Sequence, residues 1–371
     1  MTDARYDVVV FGATSFVGQI LCRYLLDTFG LDGELKWAAA GRSETKLEQL
    51  KADLGEAAQT LPLLIADANN DNSLNSLCQQ TRVVVSTVGP YALYGEPMVR
   101  ACVESGTDYC DLTGETQWIA TMLAHHEKRA RDTGARIVHC CGFDSIPSDM
   151  GVFFLQQQAM KKYREPCTTV AMRVKVAKGG VSGGTVASMI NIAEDVANDP
   201  ALRKQLANPY LLCPPGHEFH ARQPKNTLTH YDRDFHSWSA PFVMEAINSR
   251  IVHRSNALNG HAYGDQFVYS ERMLTGDGTS GRLKALAIGG GTGAFFLSAA
   301  LKPSRWLLNK FVVPQPGEGP SPAAQQAGFY DLRFIGRTDN HTLVKVKVTG
   351  DADPGYGSTA KILGQAAACL A

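Results

Sequence analysis

The chain has no surplus of charge of either sign: Lys+Arg and Asp+Glu each number 36 among 371 residues. Such a balance supplies no long-range field to draw in nucleic acid. No basic stripe with interleaved aromatics runs through the chain either, so nucleic-acid binding is set aside. Cysteine lacks a pattern. The nine cysteines are scattered, Cys140 and Cys141 are adjacent without a C-x-x-C pair, and His217 and His220 have no cysteine pair at zinc spacing. No metal site is therefore expected. The odd count, and a strand pattern that begins almost at once with no signal-peptide pattern before it, read as reduced thiols in the cytoplasm. A membrane span is also missing at full length. The uncharged run Ala285–Leu301 has 17 residues and is interrupted by glycines, against the roughly 20 needed to cross a bilayer.

One further shortage bears on function. In Gly12-Ala13-Thr14-Ser15-Phe16-Val17-Gly18 the glycines of a dinucleotide fingerprint stand only at Gly12 and Gly18, with Ser15 at a position where glycine is usual. What surrounds them still reads as strand, tight turn and helix. Val8–Phe11 is a buried-strand run, and Ile20, Leu21, Tyr24 and Leu25 recur at helical spacing. Amides at such a helix start, with the helix dipole, suit a diphosphate. Ser15 is a good N-cap. The second apolar run, Leu35–Ala40, ends in Gly41-Arg42-Ser43. An acidic residue at this tip would take a ribose 2′-hydroxyl. Arg42, with Ser43 and Lys46 beside it, suits a 2′-phosphate through paired donors, which favours NADP(H) over NAD(H).

Strand and helix patterns alternate up to about residue 140. Leu61–Ala66 is a third strand ending at Asp67, which either accepts from an adenine amino group or caps the helix Asn72–Gln80. Val83–Thr87 is a fourth, near-continuously apolar strand that runs into Gly89, Pro90 and Tyr91, where a nicotinamide would lie. Helices over Gly95–Ser105 and Gln117–Thr133 flank strands at Thr107–Leu112 and Arg136–Cys141. This rhythm predicts a Rossmann doubly wound parallel sheet over 1–145.

The loop Gly142–Asp149 follows, carrying Asp144, Ser145 and Asp149. It reads as a substrate-facing junction, or as a helix start with Ser145 as N-cap and Pro147 in the first turn. Beyond it the pattern turns strand-rich: Thr168–Lys178, Gln266–Leu274, Phe329–Gly336 and Thr342–Thr349, with helices at Thr185–Asn198 and Pro241–Ser255 and an irregular 208–240. This is expected to be an α+β second domain over 146–351 with a largely antiparallel sheet, for substrate binding or dimerisation. A terminal helix over 352–371 is expected to pack back on the first domain. Ala285–Leu301 reads as a buried helix or homodimer contact in preference to a lipid-facing one. Trp306, Leu307, Leu308, Phe311 and Val312, with Lys302, Arg305 and Lys310, are spaced like an interfacial belt. An exposed segment here would place the protein peripherally at a membrane. Pro314–Pro322 reads as a loop, and the uncapped end at Ala371 reads as a chain that continues.

In this order GATSFVG, AGR, STVGPY, YCDLTGE, CGFDSIPSDMG and, later, PGEGPS, GFYDLRFIG and DPGYGSTAKILGQAA resemble the saccharopine dehydrogenase-like oxidoreductases, most of all their trans-acting enoyl reductase branch. The resemblance implies NADP(H)-dependent redox chemistry. It implies that Gly12, Thr14, Ser15, Phe16 and Gly18 hold the diphosphate, Arg42 the 2′-phosphate, and Gly89, Pro90 and Tyr91 the nicotinamide side. In saccharopine dehydrogenases the segment similar to GFDSIPSD contacts the amino-acid substrate, but this chain shows no arginine set for several carboxylates. A small-molecule or lipid-type substrate with an enoyl or keto group fits better, with Tyr91 or Asp144 as proton donor. A non-catalytic NADP(H)-binding sensor, and an amino-acid dehydrogenase using Arg173 and Lys175, remain as alternatives.

Overall fold

A computed structural model describes residues 4–179, 183–301 and 319–371, with 183–188 as backbone alone. The chain divides into two compact units, one of residues 4–143, 319 and 355–371, the other of 144–179, 183–301 and 320–354.

The first unit is built on β1 (Tyr6–Phe11), whose Val8, Val9 and Val10 are fully buried. A strand covered on both faces needs this continuous apolar run. It is followed by α1 (Phe16–Phe29), β2 (Trp37–Gly41), α2 (Glu44–Leu54), β3 (Leu63–Ile65), α3 (Asp71–Cys78), β4 (Thr81–Ser86), α4 (Tyr91–Tyr94), α5 (Glu96–Ser105), β5 (Asp108–Asp111), α6 (Thr116–Thr133) and β6 (Ile137–Val138). The sheet is parallel in the order β3-β2-β1-β4-β5-β6, the doubly wound arrangement whose switch point lies between β1 and β4. The last strand is shorter than the expected Arg136–Cys141. Cys140 takes φ +63, and the amides of Cys140 and Cys141 turn away to donate to Asp111. The terminal helix buries Ala360, Leu363 and Ala367 in the same core as Leu21, Leu25 and Val83.

The second unit begins with α7 (Ile146–Tyr163), longer than the first-turn signal at Pro147 suggested. It lies close on its sheet: a side chain at Gly151 would meet the Phe334 ring at 2.4 Å. Then come β7 (Cys167–Lys178), α8 (Gly183–Asn198), α9 (Pro200–Leu206), β8 (His230–Asp232), β9 (Ser237–Pro241), α10 (Glu245–Leu258), β10 (Val268–Gly276), α11 (Gly278–Ala300), α12 (Pro322–Gln326), β11 (Phe329–Thr338) and β12 (Leu343–Gly350). The terminal helix of the first unit, Thr359–Leu370, is α13. The sheet order is β12-β11-β7-β10-β9-β8, antiparallel except for the parallel pair β7 and β10. Two short strands lie in the stretch expected to be irregular, and Pro241 ends β9 instead of starting α10.

Helix α11 departs from the first half of its expected reading, a buried helix or a homodimer contact. Only a narrow line, Gly281, Ala285 and Gly289, is buried along its first turns. The glycines permit a close approach: a Cβ would come within 2.1 Å of the Gly276 carbonyl at Gly281 and within 2.5 Å of the Leu228 carbonyl at Gly289. Leu283, Leu286 and Leu297 are exposed. The helix is long and apolar enough to cross a membrane by length and composition alone. The belt residues 302–312, and the loop Pro314–Pro322 up to residue 318, lie outside the described residues.

Candidate functional site

At the switch point the β1–α1 turn is tight for identifiable reasons. Gly12 has φ +87, and a side chain there would strike Val88 and Thr87 at under 3 Å. A Cβ on Gly18 would sit 2.2 Å from the Gly12 carbonyl, so α1 approaches the strand only with glycine at that position. Ser15 closes the turn: its hydroxyl accepts from the Gly18 amide at 2.9 Å and meets the Thr87 hydroxyl at 2.9 Å. The Thr87 hydroxyl in turn donates to the Gly12 carbonyl at 2.9 Å. The serine thus does a local job that a glycine could not. By position, the amides of Phe16 and Val17 in the first turn have no partner within the helix. Phe16 packs edge-on against Tyr356 at 5.0 Å. The Thr14 hydroxyl lies near the tip of β2 at Gly41.

Arg42 stands exposed at that tip, and Ser43 caps α2 by accepting from the Lys46 amide. Asp67 accepts from the Asn69 amide at 2.9 Å, and the N-cap of α3 is Asn70, so Asp67 orders its own turn ahead of the helix. Gly89 and Pro90 follow β4 through a cis peptide. The buried Tyr91 donates its hydroxyl to the Ser86 carbonyl at 3.0 Å. Burial first, and the charge of Asp111 second, push that phenol well above its usual value. Its proton is therefore firmly held.

Two carboxylates here were not among the site residues expected from the sequence. Glu115 is buried and accepts from the Tyr91 and Ala92 amides at 3.0 and 2.8 Å, clamping the start of α4. Asp111 is fully buried and meets His139 Nδ1 at 2.7 Å while holding the Thr113 and Cys140 amides. Both lie at or just past carboxyl ends of sheet strands. A search for carboxylates that follow a strand directly would have found them.

The second unit gathers a buried polar network at the start of α7. Ser145 occupies the N-cap position but makes no capping bond. Fully buried, it donates its hydroxyl to Asn248 Oδ1 at 3.0 Å. Asn248 Nδ2 donates to Ser148 at 3.2 Å and to Glu271 Oε2 at 2.8 Å, and the Tyr269 hydroxyl donates to Glu271 Oε1 at 2.7 Å. Burial raises the Glu271 carboxyl to about 7, against the lowering effect of those hydrogen bonds. Asp149 accepts from Ser255 at 2.8 Å, and burial raises it to about 6. Asp144, half-buried, is raised to about 6 by desolvation alone and has no hydrogen-bond partner for its side chain among the described residues. Arg173 is spent within the unit. Its Nε reaches Asp232 at 2.6 Å and its Nη1 donates to the Met172 and Ser270 carbonyls. It is thus not free for a substrate carboxylate, as an amino-acid dehydrogenase would need.

Residues 8–138 match the family model described as the saccharopine dehydrogenase NADP-binding domain. Over 382 aligned residues the chain is 40% identical to a protein of Mycobacterium tuberculosis H37Rv provisionally named a trans-acting enoyl reductase, covering 100% of this chain and 90% of that one. It is 35% identical over 379 residues to the trans-acting enoyl reductase of Mycobacterium bovis BCG, again covering 100% and 90%. Among solved structures, the apo saccharopine dehydrogenase (L-Glu forming) of Saccharomyces cerevisiae aligns over 98% of this chain and 89% of that one, with TM-score 0.46 and 12% identity.

Proposed function

Because the chain belongs to the saccharopine dehydrogenase-like family of trans-acting enoyl reductases, and is an NADP(H)-dependent oxidoreductase, we propose that it reduces the carbon–carbon double bond of a lipid-type enoyl intermediate. The observation that carries the cofactor half is the closed Gly12–Gly18 turn at the switch point, with an exposed guanidinium at the next strand's tip. Gly12, Thr14, Ser15, Phe16 and Gly18 would cradle the diphosphate. Arg42 and Ser43 would take the 2′-phosphate, Asp67 would border the adenine, and Gly89, Pro90 and Tyr91 would back the nicotinamide. When bound, the dihydronicotinamide supplies a hydride to one alkene carbon. A proton delivered by the chain to the neighbouring carbon would complete the saturated bond.

Asp144 is the proposed donor of that proton. Its carboxyl, lifted to about 6 with no hydrogen bond to hold it, keeps a protonated fraction near neutrality. The Tyr91 hydroxyl, committed to the Ser86 carbonyl, serves as a wall. Ser145 and Asp149 then act on substrate indirectly, by fixing the start of α7. The exposed apolar side of α11 is consistent with work on lipid-type material.

A pH profile tests the donor. With enoyl substrate and NADPH, turnover should fall as pH rises through about 6. Asp144→Asn should lower kcat by roughly 100-fold or more without changing NADPH affinity. Wild-type kcat and an unaltered pH profile in that variant would reject Asp144.

A further inference from the structure

Within the second unit, α11 and the sheet border an open, solvent-facing pocket of about 610 Å³, inside the roughly 300–1,000 Å³ range of small-molecule sites. Its wall on the helix side is Lys284, Ala287 and Ile288, spaced three and four apart and so on one face. The sheet side gives Leu274 and Thr275 from β10, Ser237 from β9 and Lys175 from β7.

The polar groups of this lining are unequal. The Thr275 hydroxyl donates to the Gly281 carbonyl at 2.8 Å. The Ser237 hydroxyl donates to the Trp238 carbonyl at 2.8 Å and accepts from the Gly276 amide at 3.0 Å. Both are committed to the fold. Two ammonium groups are left. Lys284 makes no ion pair among the described residues. Lys175 faces Asp331 at 3.8 Å, but that carboxylate is shared with Arg333 at 2.6 Å. A neutral, many-hydroxyl ligand would find few free partners here. A cation would meet two like charges, and a purely apolar ligand would offer no counter-charge to Lys284.

We propose that this cavity binds one single-chain anionic amphiphile, its carboxylate or phosphate head between Lys175 and Lys284 and its chain along Leu274, Ala287 and Ile288. The lining residues all belong to the second unit, and the proposal does not require the amphiphile to be the reduced substrate.

The test is a titration of the full chain with palmitate kept below its self-association concentration. Saturable binding of one molecule per chain is expected. Lys284→Glu, which reverses a head-group charge, and Ala287→Trp, which fills the cavity, should each weaken it by about tenfold or more. Dodecyltrimethylammonium should not compete. Unchanged NADPH affinity in both variants shows that the nucleotide-binding unit is intact, and far-ultraviolet circular dichroism checks the rest. Absence of saturable binding, equal affinity in folded variants, equal competition by the cationic detergent, or binding only to phosphatidylglycerol vesicles would each overturn the proposal. Turnover of enoyl substrate is read separately, so failure here leaves the reductase reading standing, and the reverse.

Discussion

Replacing Glu271 by glutamine should flatten part of the pH dependence of stability. Glu271 is 1% exposed and takes hydrogen bonds from Tyr269 and Asn248. Its carboxyl is raised from 4.5 to about 7, chiefly by burial. The sign follows from where the proton sits. Between those two values the folded chain holds a proton that the unfolded chain has released, so raising the pH favours unfolding. The stabilising contribution is complete below the unfolded value and is lost as pH rises through about 7. At about 1.36 kcal/mol per unit, the whole limb is worth roughly 3 kcal/mol, most of it falling between about pH 5 and pH 8. A glutamine at this place cannot ionise. Any fixed cost of fitting its amide against Asn248 and Tyr269 is the same at both pH values and cancels in the difference. Asp144 and Asp149 tilt stability in the same direction, but they are present in both proteins. The assay is urea unfolding of wild type and Glu271→Gln near both pH values, followed by far-ultraviolet circular dichroism. The wild type should lose about 2–3 kcal/mol more than the variant on going to the higher pH. Parallel pH dependences would show that Glu271 is ionised in the fold, and would remove the argument from burial.

Two further outcomes concern the nucleotide. Arg42→Ala should weaken NADPH binding by roughly tenfold or more while leaving NADH affinity nearly unchanged, because only the 2′-phosphate loses its charge-assisted partner; fluorescence titration with both nucleotides measures it. Gly18→Ala should abolish measurable NADPH binding, or unfold the turn at a cost of about 1–3 kcal/mol, since its methyl would lie 2.2 Å from the Gly12 carbonyl. Thermal melts with and without NADPH distinguish those two results.

The parts of the fold that rest on local chemistry could be read before any coordinates. Val8–Phe11, Val83–Thr87 and the Gly12–Gly18 turn announce themselves because a strand buried on both faces and a turn under a helix tolerate few residue types. The alternation of β11 and β12 was equally plain, since each has residues that alternate toward the core. The rest depends on partners distant in sequence. Ser145 looks like a helix cap, but its hydroxyl goes to Asn248, 103 positions away, and nothing local predicts that choice. Glu115 and Asp111 clamp amides of neighbouring loops, and their role exists only after the strands are side by side. The burial of helix α11 was illegible for a related reason. Its composition is that of a core helix, yet only its glycine-alanine line is covered, so the leucines stand outside.

The most direct test of the account is NADPH consumption by the purified chain offered a medium- or long-chain 2-enoyl thioester, with the organic product identified by mass. The account predicts one saturated acyl product per NADPH oxidised, and markedly slower turnover with NADH. An enzyme that binds NADPH at the glycine turn yet leaves the double bond untouched across a series of enoyl lipids would contradict it.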